Sequence, residues 1–106
     1  MSEERLNELR SQIQELDREL VVLICKRRDL AIDIGQAKGA LGLPVMDPSQ
    51  EAKVVRRAAE IARDLGLDEE LARDIIWRII AAARDAQDGK TAWGPPSIES
   101  EDDDPT

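Results

Sequence analysis

The chain of 106 residues contains no histidine, no phenylalanine and no tyrosine, with one cysteine and two tryptophans. Each shortage removes a class of function. Without histidine, the commonest general base and the commonest metal ligand are missing together. A lone thiol, Cys25, permits neither an intrachain disulfide nor a Cys-cluster zinc site, and fits a small core residue in a reducing compartment. Two aromatic side chains are too few for a nucleic-acid surface built on base stacking. The longest apolar run, Leu20 to Cys25, falls far short of a membrane span. The opening residues Met1, Ser2, Glu3, Glu4 and Arg5 lack the basic-then-apolar form of a signal peptide. Positive charge is outweighed: 15 Lys and Arg stand against 23 Asp and Glu, for a formal net charge of −8. Such a chain does not attract nucleic acid or anionic membrane non-specifically. The expectation is a soluble cytoplasmic protein with no nucleic-acid and no membrane partner. Any anion it binds must be met by a local cluster of cations working against the overall field.

What is present is helical. Leu6, Leu9, Ile13, Leu16, Leu20, Leu23, Arg27, Leu30, Ile34, Ala37 and Leu41 alternate three and four residues apart, the a/d period of a helix packed along a seam. No proline interrupts them, and Gly35 is tolerable at about 1 kcal/mol. A helix of roughly 35 residues is ~50 Å long, whereas a compact domain of ~100 residues has a radius of gyration of ~13 Å. The helix outruns any globule its own chain builds, so a second copy is expected to cover the seam, most simply in a two-fold dimer. Ser2 or Asn7 suits the start of this helix, and Gly39, Gly42 and Pro44 end it near Lys38. Asp47, Pro48 and Gln50 form a strong start signal for a second helix, with Asp47 as cap and Gln50 as capping-box partner. Its apolar face carries Val54, Val55, Ala58, Ile61, Ala62 and Leu65, and Gly66 stops it. A third helix begins after Asp68 and aligns Leu71, Ala72, Ile75, Ile76, Ile79, Ile80, Ala83 and Gln87.

The fold class expected is therefore all-α: one long and two short helices per chain, in an intertwined two-fold dimer. Residues 1–87 form the helical domain. Residues 88–106 hold six acids and one lysine and read as an acidic disordered tail, in which Trp93 is a potential anchor.

Arg27 is the misfit of the seam. An arginine keeps its proton and is costly to bury unpaired, so a carboxylate of the protein (Asp17 or Glu51) or an anionic ligand must meet it. Lys38 lies eleven residues on, close to three whole turns, and so shares its face about 16 Å along the axis. Arg10 is ~25 Å from Arg27 and joins them only from the partner chain of an antiparallel dimer. Gln87 adds an amide, and Asp47 and Glu51 stand one turn apart. This set has no nucleophile, no titrating base and no metal ligands. It suits holding a small dicarboxylate and stabilising charge that develops on an oxygen. Taken singly, the same residues have plain structural readings: Lys38 as a helix-end cation, Arg10 as a surface charge, Asp47 and Gln50 as cap residues, Gln87 as a fraying end.

The segments Leu9-Arg10-Ser11-Gln12-Ile13-Gln14-Glu15-Leu16-Asp17, Lys26-Arg27-Arg28-Asp29-Leu30-Ala31, Ile34-Gly35-Gln36-Ala37-Lys38 and Pro44-Val45-Met46-Asp47-Pro48-Ser49-Gln50-Glu51 together resemble the all-helical (type II) chorismate mutases. The resemblance runs from about residue 5 to Gln87. It implies an intertwined three-helix homodimer with two sites, each using both chains, that rearranges chorismate to prephenate with no cofactor and no metal. Carried over, Arg27 and the partner's Arg10 grip substrate carboxylates. Lys38 and Gln87 hydrogen-bond the ether oxygen whose bond breaks, which makes Lys38, Gln87 and Arg27 the catalytic set. Asp47 and Glu51 lie near the ring hydroxyl, with Glu51 binding it. Gln50 and Ala83 stand where one family member has an arginine and a serine, at positions that normally help hold a carboxylate. Gln87, where some relatives carry a glutamate that must be protonated, implies activity that holds across neutral pH. The same fold and core also serve isochorismate pyruvate lyases and mutases acting on an amino analogue of chorismate. A non-catalytic helical dimer acting as a binding partner is the reading from outside enzymology.

Overall fold

A computed structural model describes residues 2–87, with side chains through Asp85. The described chain is three α-helices: α1 over Glu3–Ala40, α2 over Pro48–Leu65 and α3 over Glu69–Gln87. No helix among the described residues is long and apolar enough to cross a membrane. Residues 88–106, where the acidic tail and Trp93 are expected, lie outside the described residues.

Each boundary has a local cause. Ser2 caps α1, its Oγ accepting from the Arg5 N–H at 3.1 Å, with Glu3 and Glu4 in the first turn. Asn7, the alternative start, is inside the helix. The helix continues one short turn beyond Lys38. There Gly42, at φ +73°, turns the chain so that the Leu43 N–H reaches back to the Lys38 carbonyl at 2.8 Å. This left-handed conformation is one that glycine adopts without steric cost. Asp47 caps α2 by accepting from the Gln50 N–H at 3.2 Å, with Pro48 in the first turn. Gly66, at φ +77°, closes α2, and the Leu67 N–H returns to the Ala62 carbonyl at 2.8 Å. The Asp68 carboxylate then accepts from the Glu70 N–H at 3.3 Å to start α3.

A charged knot secures this turn. The Arg63 guanidinium donates to both oxygens of Glu69, at 3.1 and 3.3 Å, and Arg73 reaches Glu69 and Glu70. The hydrogen bond from Arg63 lowers the Glu69 pKa below its ordinary value, and the same bond raises that of Arg63.

Packing is uneven. α2 lies along α3, and α3 along α1. The buried apolar residues among those described are Ala59, Ala62, Ile80 and Ala83, small enough for α2 and α3 to approach closely. α1 has no buried residue at all. Its seam faces outward: Ile13, Leu16, Leu20, Leu23 and Leu30 are each more than half exposed. Several residues expected to pack on the short helices are exposed too, notably Leu65 at 77%, with Ile61, Leu71 and Ile75 near half. Cys25 is half-buried. The described chain measures 58 × 44 × 17 Å. Its long axis matches the ~57 Å expected of a 38-residue helix, and its thin axis leaves α1 uncovered along most of its length.

Candidate active site

The three helices converge at the C-terminal end of α1. There the α1–α2 connection folds over, and the starts of α2 and the later turns of α3 close an open hollow of about 530 Å³, including its mouth. Pockets for small ligands fall in this size range. Arg27 and Lys38 enter from α1, Asp47 from the connection, Gln50 and Glu51 from the first turn of α2, and Arg84 from α3. The apolar wall is Ala31 and Ile34 of α1, Val45, Val54 of α2, and Ile80 and Ala83 of α3.

Helical spacing brings Arg27 and Lys38 together as expected: both line the one hollow, and both are half-buried. Neither is tied to a carboxylate among the described residues. The Lys38 ammonium donates to the Val45 carbonyl at 3.2 Å, a neutral acceptor delivered by the Gly42 turn. Arg27 makes no ion pair among the described residues, although its i+1 neighbour Arg28 pairs with Asp29 at 3.0 Å. Asp17, one suggested partner for Arg27, is exposed on the previous turns of α1. Glu51, the other, is engaged elsewhere.

That engagement is with Arg84, which the sequence reading overlooked. Arg84 Nε donates to Glu51 Oε2 at 3.2 Å, and Nη2 donates to Oε1. The guanidinium also stacks towards Trp77, 5.8 Å from the ring centroid. Such a two-pronged pair is stronger and more directional than a single contact. A signal was available: Arg84 follows Ile80 by four residues and precedes Gln87 by three, so it belongs to the same face of α3.

The other expected site residues divide. Asp47 lines the hollow while capping α2, so its structural and site positions coincide. Gln50 lines the hollow from an exposed position, and Ala83 is buried in its wall. Arg10 is exposed on the first third of α1 and takes no part in this hollow. Gln87 ends α3 on the expected face, but its side chain lies outside the described ones.

Chemically, the hollow offers fixed cations, two carboxylates and an apolar wall, in the absence of any histidine from the sequence. It can bind a compact anion and stabilise negative charge on it.

Comparison with known proteins bears on the same segment. A family profile described as chorismate mutase type II matches residues 9–88. The chorismate mutase of Methanocaldococcus jannaschii is 34% identical over 68 residues, which cover 64% of this chain and 69% of that protein. The T-protein of Haemophilus influenzae is 35% identical over 77 residues, 73% of this chain but 20% of that protein, so the chain spans only a fifth of its length. The 4-amino-4-deoxychorismate mutase of Streptomyces venezuelae is 39% identical over 64 residues, 60% of this chain and 62% of that protein. The match covers α1 from Leu9, all of α2 and all of α3, and so contains every residue of the hollow: this chain belongs to the type II chorismate mutase family.

Proposed function

We propose that the protein is a chorismate mutase, converting chorismate to prephenate in the branch that leads to phenylalanine and tyrosine. The observation that carries this reading is the pairing of Arg27 and Lys38 over one hollow, with neither cation neutralised by a carboxylate among the described residues. The rearrangement breaks a C–O bond as a C–C bond forms within one molecule. It needs a compact conformation of a dianion and relief of the charge that builds on the ether oxygen. It needs no nucleophile and no proton transfer, which agrees with the residues available. In this reading Arg27 grips a carboxylate, Lys38 and Gln87 donate to the ether oxygen, and Asp47 and Glu51 face the ring hydroxyl. One preorganised donor aimed at developing charge is worth ~10²–10³ in kcat. Gln50 and Ala83 line the carboxylate end without adding charge.

The working unit in this proposal is a homodimer, with residues 1–87 as the catalytic domain and 88–106 as an acidic appendage. Two observations support it. The buried core of one chain is three alanines and one isoleucine among the described residues. The outward row on α1, from Ile13 to Leu30, is the apolar surface left for a second copy to cover. Antiparallel pairing of two such helices brings Arg10 of one chain to the hollow of the other and completes the cation set.

A second reading, a mutase acting on the 4-amino analogue, is favoured by the 39% identity to the Streptomyces enzyme. The test is direct. Purified protein is mixed with chorismate and the loss of its absorbance followed. A product of unchanged mass, formed well above the uncatalysed rate, is the expected result. No rate above background rejects the enzyme. Release of pyruvate from isochorismate marks a lyase instead.

A further inference from the structure

The rearrangement as described has no requirement for Arg84, yet this side chain is the best-held cation of the hollow. It forks around Glu51, with Nε on Oε2 at 3.2 Å and Nη2 on Oε1, and Trp77 backs it at 5.8 Å. Arg84 and Glu51 are only 25% and 17% exposed, in a wall where charge is screened less than in water. The fork fixes the plane of the carboxylate. A carboxylate has about four lone-pair sites; Arg84 occupies one on each oxygen, which leaves one on each that the fork does not use. The fork also changes what the hollow sees. A guanidinium does not deprotonate, so Glu51 meets a ligand as half of a neutral pair rather than as a free anion. Arg27, Lys38 and Arg84 outnumber Asp47 and Glu51 among the lining side chains.

We propose that Arg84 is a positioning and specificity residue: by clamping and neutralising Glu51, it makes the site accept a ring that presents a neutral hydroxyl to that carboxylate and disfavour one that presents an ammonium. This rests on the chorismate reading, in which Glu51 holds the ring hydroxyl. A hydroxyl needs an oriented acceptor and gains little from net negative charge behind it. An ammonium gains most from an uncompensated carboxylate, and the guanidinium on the far side of Glu51 opposes it. The substrate named for the Streptomyces relative is a 4-amino compound, and amines of ordinary basicity are largely protonated at neutral pH. Arg84 thus separates two ring chemistries through a group that touches neither.

The experiment compares kcat/KM for chorismate and for 4-amino-4-deoxychorismate in the wild-type dimer and in Arg84→Ala, Arg84→Gln and Arg84→Lys. The glutamine variant can still donate a hydrogen bond to Glu51 without cancelling its charge, and stands in if the alanine variant does not fold. Removing the charge is expected to shift the ratio towards the amine by roughly tenfold or more, the scale of a partly screened like charge standing one carboxylate away. Arg84→Lys, which restores the charge, is expected to return the ratio towards wild type. In a Glu51→Gln background the same Arg84 substitutions are expected to leave the ratio unmoved, because the effect runs through Glu51. A ratio that stays put in folded Arg84→Ala or Arg84→Gln, or that shifts equally without the Glu51 carboxylate, overturns the inference while leaving chorismate turnover standing. Wild-type protein that turns over neither substrate overturns both.

Discussion

Substituting Lys38 by alanine is the sharpest test of the hollow, because its structural and catalytic costs differ in size. In the free protein Lys38 makes one neutral hydrogen bond, to the Val45 carbonyl at 3.2 Å. Val45 is only half-buried, so water replaces the lost donor, and the expected loss of stability is about 0.5–1.5 kcal/mol. For a domain of this size, ~1 kcal/mol lowers Tm by about 4–8 °C. The catalytic loss belongs to another scale. An ammonium facing the ether oxygen as it gains charge contributes ~10²–10³ in kcat, or ~2.7–4 kcal/mol. That charge exists mainly in the transition state, so kcat should fall far more than KM rises. The assay is chorismate depletion over a range of concentrations, with thermal unfolding and size-exclusion chromatography on the same sample. A folded dimeric Lys38→Ala protein with kcat within about threefold of wild type refutes the role given to Lys38. An activity loss matched by loss of the dimer removes its catalytic meaning and leaves a structural lysine.

Other perturbations separate the remaining claims. Arg10→Ala and Arg27→Ala should each be inactive alone, but co-refolding equal amounts should restore about a quarter of wild-type activity, since half the dimers then carry one complete site; no recovery places Arg10 outside the partner's site. Glu69→Gln tests the charged knot between α2 and α3. Because Arg63 holds the Glu69 pKa down, this contribution is present above the ordinary carboxylate pKa and is lost as pH falls through the lowered one. Melting curves of wild type and Glu69→Gln should therefore differ at pH 7 and converge on acidification, and a difference that persists in acid contradicts the assignment. Gly66→Ala should cost about 1–2 kcal/mol, read by denaturant unfolding, because φ of +77° is unfavourable for any side chain although nothing lies within 4 Å of the added Cβ. A neutral result would mean that the turn relaxes to another backbone conformation.

Much of this was legible in the sequence, and the rest was hidden for physical reasons. Helix ends were readable because they are local: Ser2, Asp47, Gly66 and Asp68 act within a few residues of themselves. The convergence of Arg27 and Lys38 was readable because both stand on one rigid helix whose period fixes their relative direction. The Glu51–Arg84 pair was not, since 33 residues and a turn separate its members and no periodicity relates α2 to α3. The attention given to Gln87 rather than Arg84 shows the same limit: the shared face on α3 was visible, but which member of it meets α2 depends on how the two helices cross. Exposure of Leu65, Leu71 and Ile75 escaped for a related reason, because an apolar stripe states that burial is favourable without stating against what.

The charge distribution joins these points. A chain with net charge −8 is an unpromising receptor for a dianion, since the long-range field repels it. Beyond roughly one Debye length, ~8 Å at physiological salt, that field is screened, and what the ligand meets is local. Locally the hollow holds more cations than carboxylates, and Arg84 is what tips the balance, because it offsets Glu51 where Gln50 contributes no charge. Gln50, where the resemblance sets an arginine, is neutral on α2, and Arg84 stands across the hollow on α3. A glutamate is compatible with a hollow that binds an anion because the Arg84 guanidinium offsets its charge from behind.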